Sequence, residues 1–331
     1  MTSLRRWTGY WMKDSRAAVK NAIAFLADRF FLLRPLVIVP AITFFLLGYA
    51  EALLRGRVAW PGYPRLNYPW LGLVSYALLM ASVYVTNQIH DAESDRANEK
   101  LFLIPRGMVS KREAWGIAAA LMVLGLAGSA RYGQTTMLLF ALSFMLGVAY
   151  SIPPVALKRV FPYDLIANAV GYGTLAFVSG WSVAAGPGLK AIAVSGPFAL
   201  CVGAVFTLTA IHDRKGDERS GYRTTGVALG VERGPLLALV LIVAAIPLSF
   251  LVDNRFALAG AAVSLPFFIY AHVKGGEQPV KIAYRASSAV FVLMVGIALP
   301  YFLLIVLALM ALARLYYSLR FSLDYPTLRG K

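Results

Sequence analysis

Thr86-Asn87-Gln88-Ile89-His90-Asp91-Ala92-Glu93-Ser94-Asp95-Arg96 closes one long apolar run. The stretch Ile211-His212-Asp213-Arg214-Lys215-Gly216-Asp217-Glu218-Arg219 closes another, 122 residues later. Both place aspartates four apart, directly after an Ile-His pair. Four residues advance a helix by about 400°, so Asn87, Asp91 and Asp95 share one helix face, and Asp213 and Asp217 share another. Two acidic helix ends in a basic, apolar chain imply a bound cation.

The surrounding composition sets the solvent. The chain has 331 residues, 59% hydrophobic and 15% charged, with mean hydropathy +0.66. Soluble domains carry about 25% charged residues, and no soluble core absorbs this much apolar surface. Apolar runs of about 17–25 residues recur instead, the length of a membrane-crossing helix. The chain is therefore read as an all-α, polytopic membrane protein. Its net charge is +16, but the basic residues lie between apolar runs and form no separate domain. That excludes nucleic acid as the partner and points to short loops facing anionic headgroups. Cys201 stands alone inside an apolar run, which excludes a disulfide framework or a cysteine-ligated cluster and leaves a small buried residue. No cleavable signal is evident. Residues 1–28 instead read as a basic amphipathic segment, with Arg5, Arg6, Lys13, Arg16 and Lys20 among Trp7, Tyr10 and Trp11.

Nine spans are expected, near 35–53, 68–90, 114–131, 134–151, 164–186, 190–211, 234–252, 256–272 and 285–313. With the N-terminus in the cytoplasm, the cytoplasmic segments carry 22 Lys and Arg against 6 on the other side, the bias of a correctly oriented chain. Residues 314–331, with Arg314, Arg320, Arg329 and Lys331, then fall on the outer side as an interfacial tail, against that bias. Both acidic stretches face the cytoplasm, one ending span two and the other span six. Their equivalence suggests a duplicated four-helix unit plus a ninth helix, all within a single domain over 1–331.

Carboxylates near hydrocarbon are costly and rarely idle. The alternative is a set of ordinary solvated loop acids, and the doubled four-residue spacing argues against it. Hard oxygen ligands of this kind suit Mg²⁺, which takes one or two carboxylates plus phosphate oxygens. Two such clusters facing each other would hold a diphosphate. The candidate cations for its outer oxygens are Lys158, in Tyr150-Ser151-Ile152-Pro153-Pro154-x3-Lys158, and then Arg223, Lys100 and Arg106. Most other basic residues are explained by membrane orientation alone. Once diphosphate leaves an allylic chain, aromatic faces stabilise the cation. Tyr150, Tyr172, Phe144 and Tyr84 are candidates, and Tyr150 is favoured by its place ahead of Lys158 in a Pro-broken segment. His90 and His212 read either as partners of the neighbouring aspartates or as polar groups at headgroup level.

These residues carry a resemblance. Asn87-x3-Asp91-x3-Asp95 resembles the first aspartate-rich motif of the UbiA superfamily of intramembrane prenyltransferases. Asp213-x3-Asp217, with Gly221-Tyr222-Arg223-Thr224-Thr225 and Leu229-Gly230 downstream, resembles the second. Tyr150-Ser-Ile-Pro-Pro-x3-Lys158 is similar to the family's Tyr-Ser-x-Pro-Pro segment. The resemblance implies nine helices around a central cavity open laterally to lipid. It implies Mg²⁺ and diphosphate at Asn87, Asp91, Asp95, Asp213 and Asp217, with Lys158 on the diphosphate and Tyr150 lining the reaction site. Where family members have Asn and then Arg-Pro-Leu-Pro-x-Gly, this chain has Asn98-Glu99-Lys100-Leu101-Phe102-Leu103-Ile104-Pro105-Arg106-Gly107. Lys100 or Arg106 would substitute for the missing arginine.

The function expected is an Mg²⁺-dependent prenyltransferase in a prokaryotic cell membrane, joining a polyprenyl diphosphate donor to a hydrophobic or aromatic acceptor. An aromatic acid or phenol is the first expectation for the acceptor, ahead of a lipid headgroup or an isoprenoid alkene. A terpene cyclase of the same superfamily is the alternative. An ion-coupled transporter is disfavoured, because transporters place their acids near the bilayer midplane at broken helices.

Overall fold

The computed structural model of the chain describes residues 21–55, 70–97 and 103–326. Helices form almost all of it, and the one β-type pairing among these residues is an isolated bridge between Val160 and Arg223. In chain order the helices are α1 (residues 21–32), α2 (Pro35–Arg55), α3 (Trp70–Ala97), α4 (Lys111–Ala130) and α5 (Gln134–Ser151). A rod over 163–184 follows, built from α6 (Tyr163–Asn168), a π-wound stretch (Ala169–Ala176) and α7 (Phe177–Ala184). Then come α8 (Leu189–Arg219), α9 (Thr225–Leu251), α10 (Arg255–Lys274), α11 (Glu277–Ala298) and α12 (Pro300–Phe321).

Nine of these helices are long and apolar enough to cross a membrane. Their outward faces carry bare Leu, Val and Ile side chains, such as Leu251 and Ile297, which suits lipid and not water. The number agrees with the sequence expectation, but two segments are built differently. The expected span 164–186 is the rod in three windings, which is not among those nine. The expected span 285–313 is two helices. Leu299 leaves the helical region (φ −132°, ψ 80°), because Pro300 has no N–H to continue the ladder and instead opens a new helix at its first turn. The chain therefore turns back, and α12 ends where α1 lies. There Asp28, buried, accepts hydrogen bonds from the Tyr316 hydroxyl (2.8 Å) and from Arg320 (3.0 and 3.2 Å). Phe31 stacks on Tyr316 with ring centroids 4.0 Å apart. Residues 314–321 thus continue the last helix, and Arg314 and Arg320 lie at the end of the bundle that holds α1, not at the far end. Arg329 and Lys331, the rest of the expected tail, lie outside the described residues. Of the basic N-terminal segment, residues 1–20 lie outside the described part. In α1, Ile23, Phe25 and Leu26 are exposed while Phe31 and Leu32 are buried.

The centre of the bundle is a close crossing of α2 and α7. A Cβ on Gly48 would strike the backbone carbonyl of Phe177, and one on Gly180 would strike that of Phe45. The contact is reciprocal between two Phe-x-x-Gly segments, and small residues are what let membrane helices approach this closely. Phe45 stacks on Tyr76 of α3 (centroids 5.1 Å), and Phe177 packs on Phe198 of α8 (5.2 Å). Tyr76 and Phe198 are 122 residues apart, the same separation as Asp91 and Asp213. The duplication suggested by the acidic motifs therefore extends into the core. Gly180→Val is expected to force α2 and α7 apart, at a cost of about 1–3 kcal/mol for an overpacked site. A melting temperature in detergent no lower than wild type would contradict the crossing.

α9 carries the second glycine that its backbone requires. Gly230 sits at φ 60°, ψ −166°, inside a segment otherwise helical. The first turn, from Thr225, is thereby set off by a kink from the rest of the helix, and the helix starts nine residues before the expected span.

Candidate active site

α3 and α8 end at the same side of the bundle, and their last turns face one another. Asn87, Asp91 and Asp95 from α3, and Asp213 and Asp217 from α8, line a single cavity of about 280 Å³. Tyr150, Lys158, Asp164, Thr209, Ser220, Tyr222 and Thr224 complete its polar wall. The helix face deduced from the four-residue spacing is the face turned inward.

Lys158 reaches this cavity because α5 stops at Ser151. The following loop turns through a left-handed Ala156 (φ 38°) into a single 3-10 turn, Leu157–Arg159. From there the Lys158 ammonium donates to both carboxylate oxygens of Asp91 (2.7 and 2.6 Å) and to Asn87 Oδ1 (2.9 Å). The pair is partly buried, with side-chain exposures of 15% and 22%, so solvent screens it incompletely. On the opposite wall, the Thr224 hydroxyl donates to Asp217 Oδ2 at 2.8 Å.

Two further chambers adjoin the acidic one. The larger, about 270 Å³, is walled by apolar groups including Val37, Pro40, Phe44, Cys201, Val205 and Phe291, and shares Phe206 and Thr209 with the acidic cavity. The smaller, about 110 Å³, is lined by Tyr76, Tyr84, Ser143 and Tyr172 and shares Asn87 and Tyr150 with it. Asn168 and Tyr172 border both apolar chambers. They flank or lie on the π-wound stretch, a rare winding that occurs mostly at functional positions. The Tyr84 hydroxyl pairs with that of Tyr172 and donates to Val37 O (3.1 Å). Phe144 packs against the core.

Of the other cations named from the sequence, the two that are described lie off the cavity wall. Arg223 is held by its backbone: its N–H donates to Arg159 O (2.9 Å) and its carbonyl accepts from Phe161 N–H (2.7 Å). Its side chain is not part of the cavity wall. Arg106 places its guanidinium over the Phe321 ring, 5.6 Å from the centroid. Lys100 lies outside the described residues. Among the described residues Lys158 is thus the only basic side chain on the cavity wall. His90 hydrogen-bonds Thr86 O (2.9 Å) and packs edge-on to Trp115, away from the cavity.

Sequence reasoning passed over Asp164, Thr209 and Thr224. Thr224 lay within a quoted motif. Asp164 had a weaker signal, a carboxylate at the start of an apolar run with no basic residue adjacent. It is 1% exposed and binds Thr225, its N–H at 2.6 Å and its hydroxyl at 2.7 Å.

Among the described residues no three His, Cys, Asp or Glu side chains stand close enough to hold a metal by themselves. That fits a cation that takes only one or two carboxylates and draws its other ligands from phosphate. The donors present are all hard oxygens.

Comparison with known proteins agrees with this architecture. A lycopene elongase/hydratase of Haloferax volcanii is 31% identical over 173 residues, covering 49% of this chain and 54% of the relative. A digeranylgeranylglyceryl phosphate synthase of Korarchaeum cryptofilum is 31% identical, covering 54% and 62%. The chain thus spans little more than half the length of these curated relatives. A solved UbiA homolog from Archaeoglobus fulgidus, bound to DMAPP and Mg²⁺, superposes with a TM-score of 0.59 at 25% identity, over 78% of this chain and 97% of that one. The model of the UbiA prenyltransferase family matches residues 52–281, well over half of the sequence. This integral membrane protein belongs to the UbiA prenyltransferase family.

Proposed function

We propose that the chain is an Mg²⁺-dependent intramembrane prenyltransferase acting on a polyprenyl diphosphate. The observation that carries this reading is one cavity walled by both acidic helix ends and Lys158, opening beside an apolar chamber. The polar cavity suits a diphosphate and the apolar chamber an isoprenoid tail. Family relatives support the donor, since one is solved with DMAPP and Mg²⁺ and another with GPP and Mg²⁺.

Asn87, Asp91, Asp95, Asp213 and Asp217 are the residues that would hold Mg²⁺ and, through it, the diphosphate. When bound, the ion neutralises charge building on the leaving group. Lys158 presents an ammonium beside Asp91, and on substrate entry it donates to diphosphate oxygens. The C1–O bond of the donor breaks and its electron pair leaves with the diphosphate. Tyr150, at the junction of the polar cavity and the smaller chamber, faces the allylic cation with a ring. The acceptor supplies an electron pair to C1 and loses a proton. A hydrophobic or aromatic acceptor entering from the bilayer fits the apolar walls, and relatives named for different products resemble this chain in sequence.

The acidic end is read as cytoplasmic, in a prokaryotic cell membrane. The positive-inside bias supports this orientation, and Arg314 and Arg320 now add to it.

Purified protein in lipid nanodiscs, given geranylgeranyl diphosphate, Mg²⁺ and a phenolic, lipid or isoprenoid acceptor, is expected to release diphosphate and form a prenylated product. EDTA should lower the rate at least a hundredfold, and excess Mg²⁺ should restore it. No release from donors of any chain length would overturn the reading. A cyclised hydrocarbon formed without acceptor would identify a cyclase instead.

A further inference from the structure

The Lys158 loop and the loop after α8 are distant in sequence and stitched together in space. Arg223 N–H donates to Arg159 O and Phe161 N–H to Arg223 O, two rungs of a short bridge. The Arg159 guanidinium covers the Tyr222 ring at 4.9 Å. Just beyond the bridge, Asp164 Oδ2 accepts from Thr225 N–H at 2.6 Å and Oδ1 from the Thr225 hydroxyl at 2.7 Å. The residue before, Thr224, holds Asp217, while at the other end of the stitched loop Lys158 holds Asn87 and Asp91. One path, made of side-chain bonds and the chain between them, therefore joins the first acidic motif to the second: Asp91 to Lys158, along the backbone from 158 to 164, Asp164 to Thr225, and from the adjoining Thr224 to Asp217.

Asp164 is the member of this path with no other evident task. It is buried to 1% exposure, and both its oxygens are spent on Thr225, at the first turn of α9, where backbone N–H groups lack helical partners and favour a carboxylate. A carboxylate in that place costs desolvation unless its bonds are good, and these are short. We propose that Asp164 is a positioning residue. By clamping the start of α9 to the base of the Lys158 loop, it fixes where Lys158 stands relative to Asp217, and so the width of the gap that receives the diphosphate. The assignment rests on the reading of this cavity as a prenyl diphosphate site, but its geometry can be tested without turnover.

The experiment measures how fast Lys158 is modified by an amine-acylating reagent, resolved by mass spectrometry, in wild type, Asp164→Asn and Thr225→Val. Asp164→Asn loses an acceptor for one of the two bonds, and Thr225→Val deletes the hydroxyl alone. Buried Lys281 is the control for general loosening. Labelling of Lys158 is expected to rise about tenfold in Asp164→Asn and about threefold in Thr225→Val, with Lys281 unchanged, as each variant loses one or more bonds of the clamp. Asp164→Glu, which keeps both oxygens, should restore part of the protection. In turnover, KM for the prenyl diphosphate should rise about tenfold in Asp164→Asn while saturating Mg²⁺ fails to correct it. Unchanged Lys158 labelling in both variants, or a parallel rise at Lys281, would overturn the proposal. If Asp164→Asn does not fold, Thr225→Val alone decides by the same criterion. A wild type that releases no diphosphate, with the labelling change intact, would overturn the prenyltransferase reading and support the positioning role.

Discussion

Asp91→Ala and Asp213→Ala are each expected to reduce diphosphate release by about 10²–10³-fold, the cost of removing one preorganised group that stabilises transition-state charge. The two residues sit on different helices, 122 positions apart, and line one cavity. Neither end alone supplies enough ligands, since no three metal-binding side chains cluster among the described residues. In the function proposed, substrate oxygens complete the set and the two ends act as a unit. The double variant should then fall little below the worse single one, as happens for groups that function only together. Asp91→Ala carries a second consequence, because it leaves the Lys158 ammonium without its carboxylate. It should therefore also lower thermal stability, and Asp213→Ala should do so less. Steady-state rates with saturating Mg²⁺ check the first point and melting in detergent the second. Wild-type rates in both variants would remove the site.

Lys158→Ala should have the next largest effect, with opposite signs for two ligands. In the substrate-free protein the ammonium occupies both oxygens of Asp91 and that of Asn87. It competes with any cation for those atoms. Removing it should tighten Mg²⁺ binding by itself several-fold, because a like charge beside the ligand oxygens disappears. The same change should weaken prenyl diphosphate by about 10–100-fold, since a charge-assisted hydrogen bond to the leaving group is lost. Calorimetric titration of Mg²⁺ alone, beside the KM for the donor, separates the two. If Lys158→Ala weakens both, the lysine supports Asp91 and does not compete with the cation.

The acids were readable because their message is local. Spacing of four on a helix decides which side chains share a face, whatever the rest of the chain does, and the cavity wall uses that face for all five residues. The basic partners were readable only in part. Lys158, Arg223, Lys100 and Arg106 look alike in sequence, each a cation near an acidic motif. Only Lys158 of those described reaches the cavity, because a 3-10 turn after Ala156 aims it inward, whereas Arg223 is held through its backbone in the bridge to Arg159 and Phe161. The last span was misjudged because apolar length was given more weight than Pro300, a helix starter that splits the run into two helices.

By itself, the sequence determined that this chain lives in lipid, that its acids gather at two helix ends, and that the two halves of the molecule echo each other. Hydrophobic run length, helical period and charge bias act over a few turns, and a one-dimensional reading contains them. Only the tertiary structure decided that Gly48 lies against the Phe177 carbonyl and Gly180 against that of Phe45, that α12 returns to Asp28, and that Asp164 binds Thr225. Each of those is a contact between segments 60 or more residues apart. Such contacts are selected by how whole helices pack, and no local pattern encodes which distant partner will be opposite.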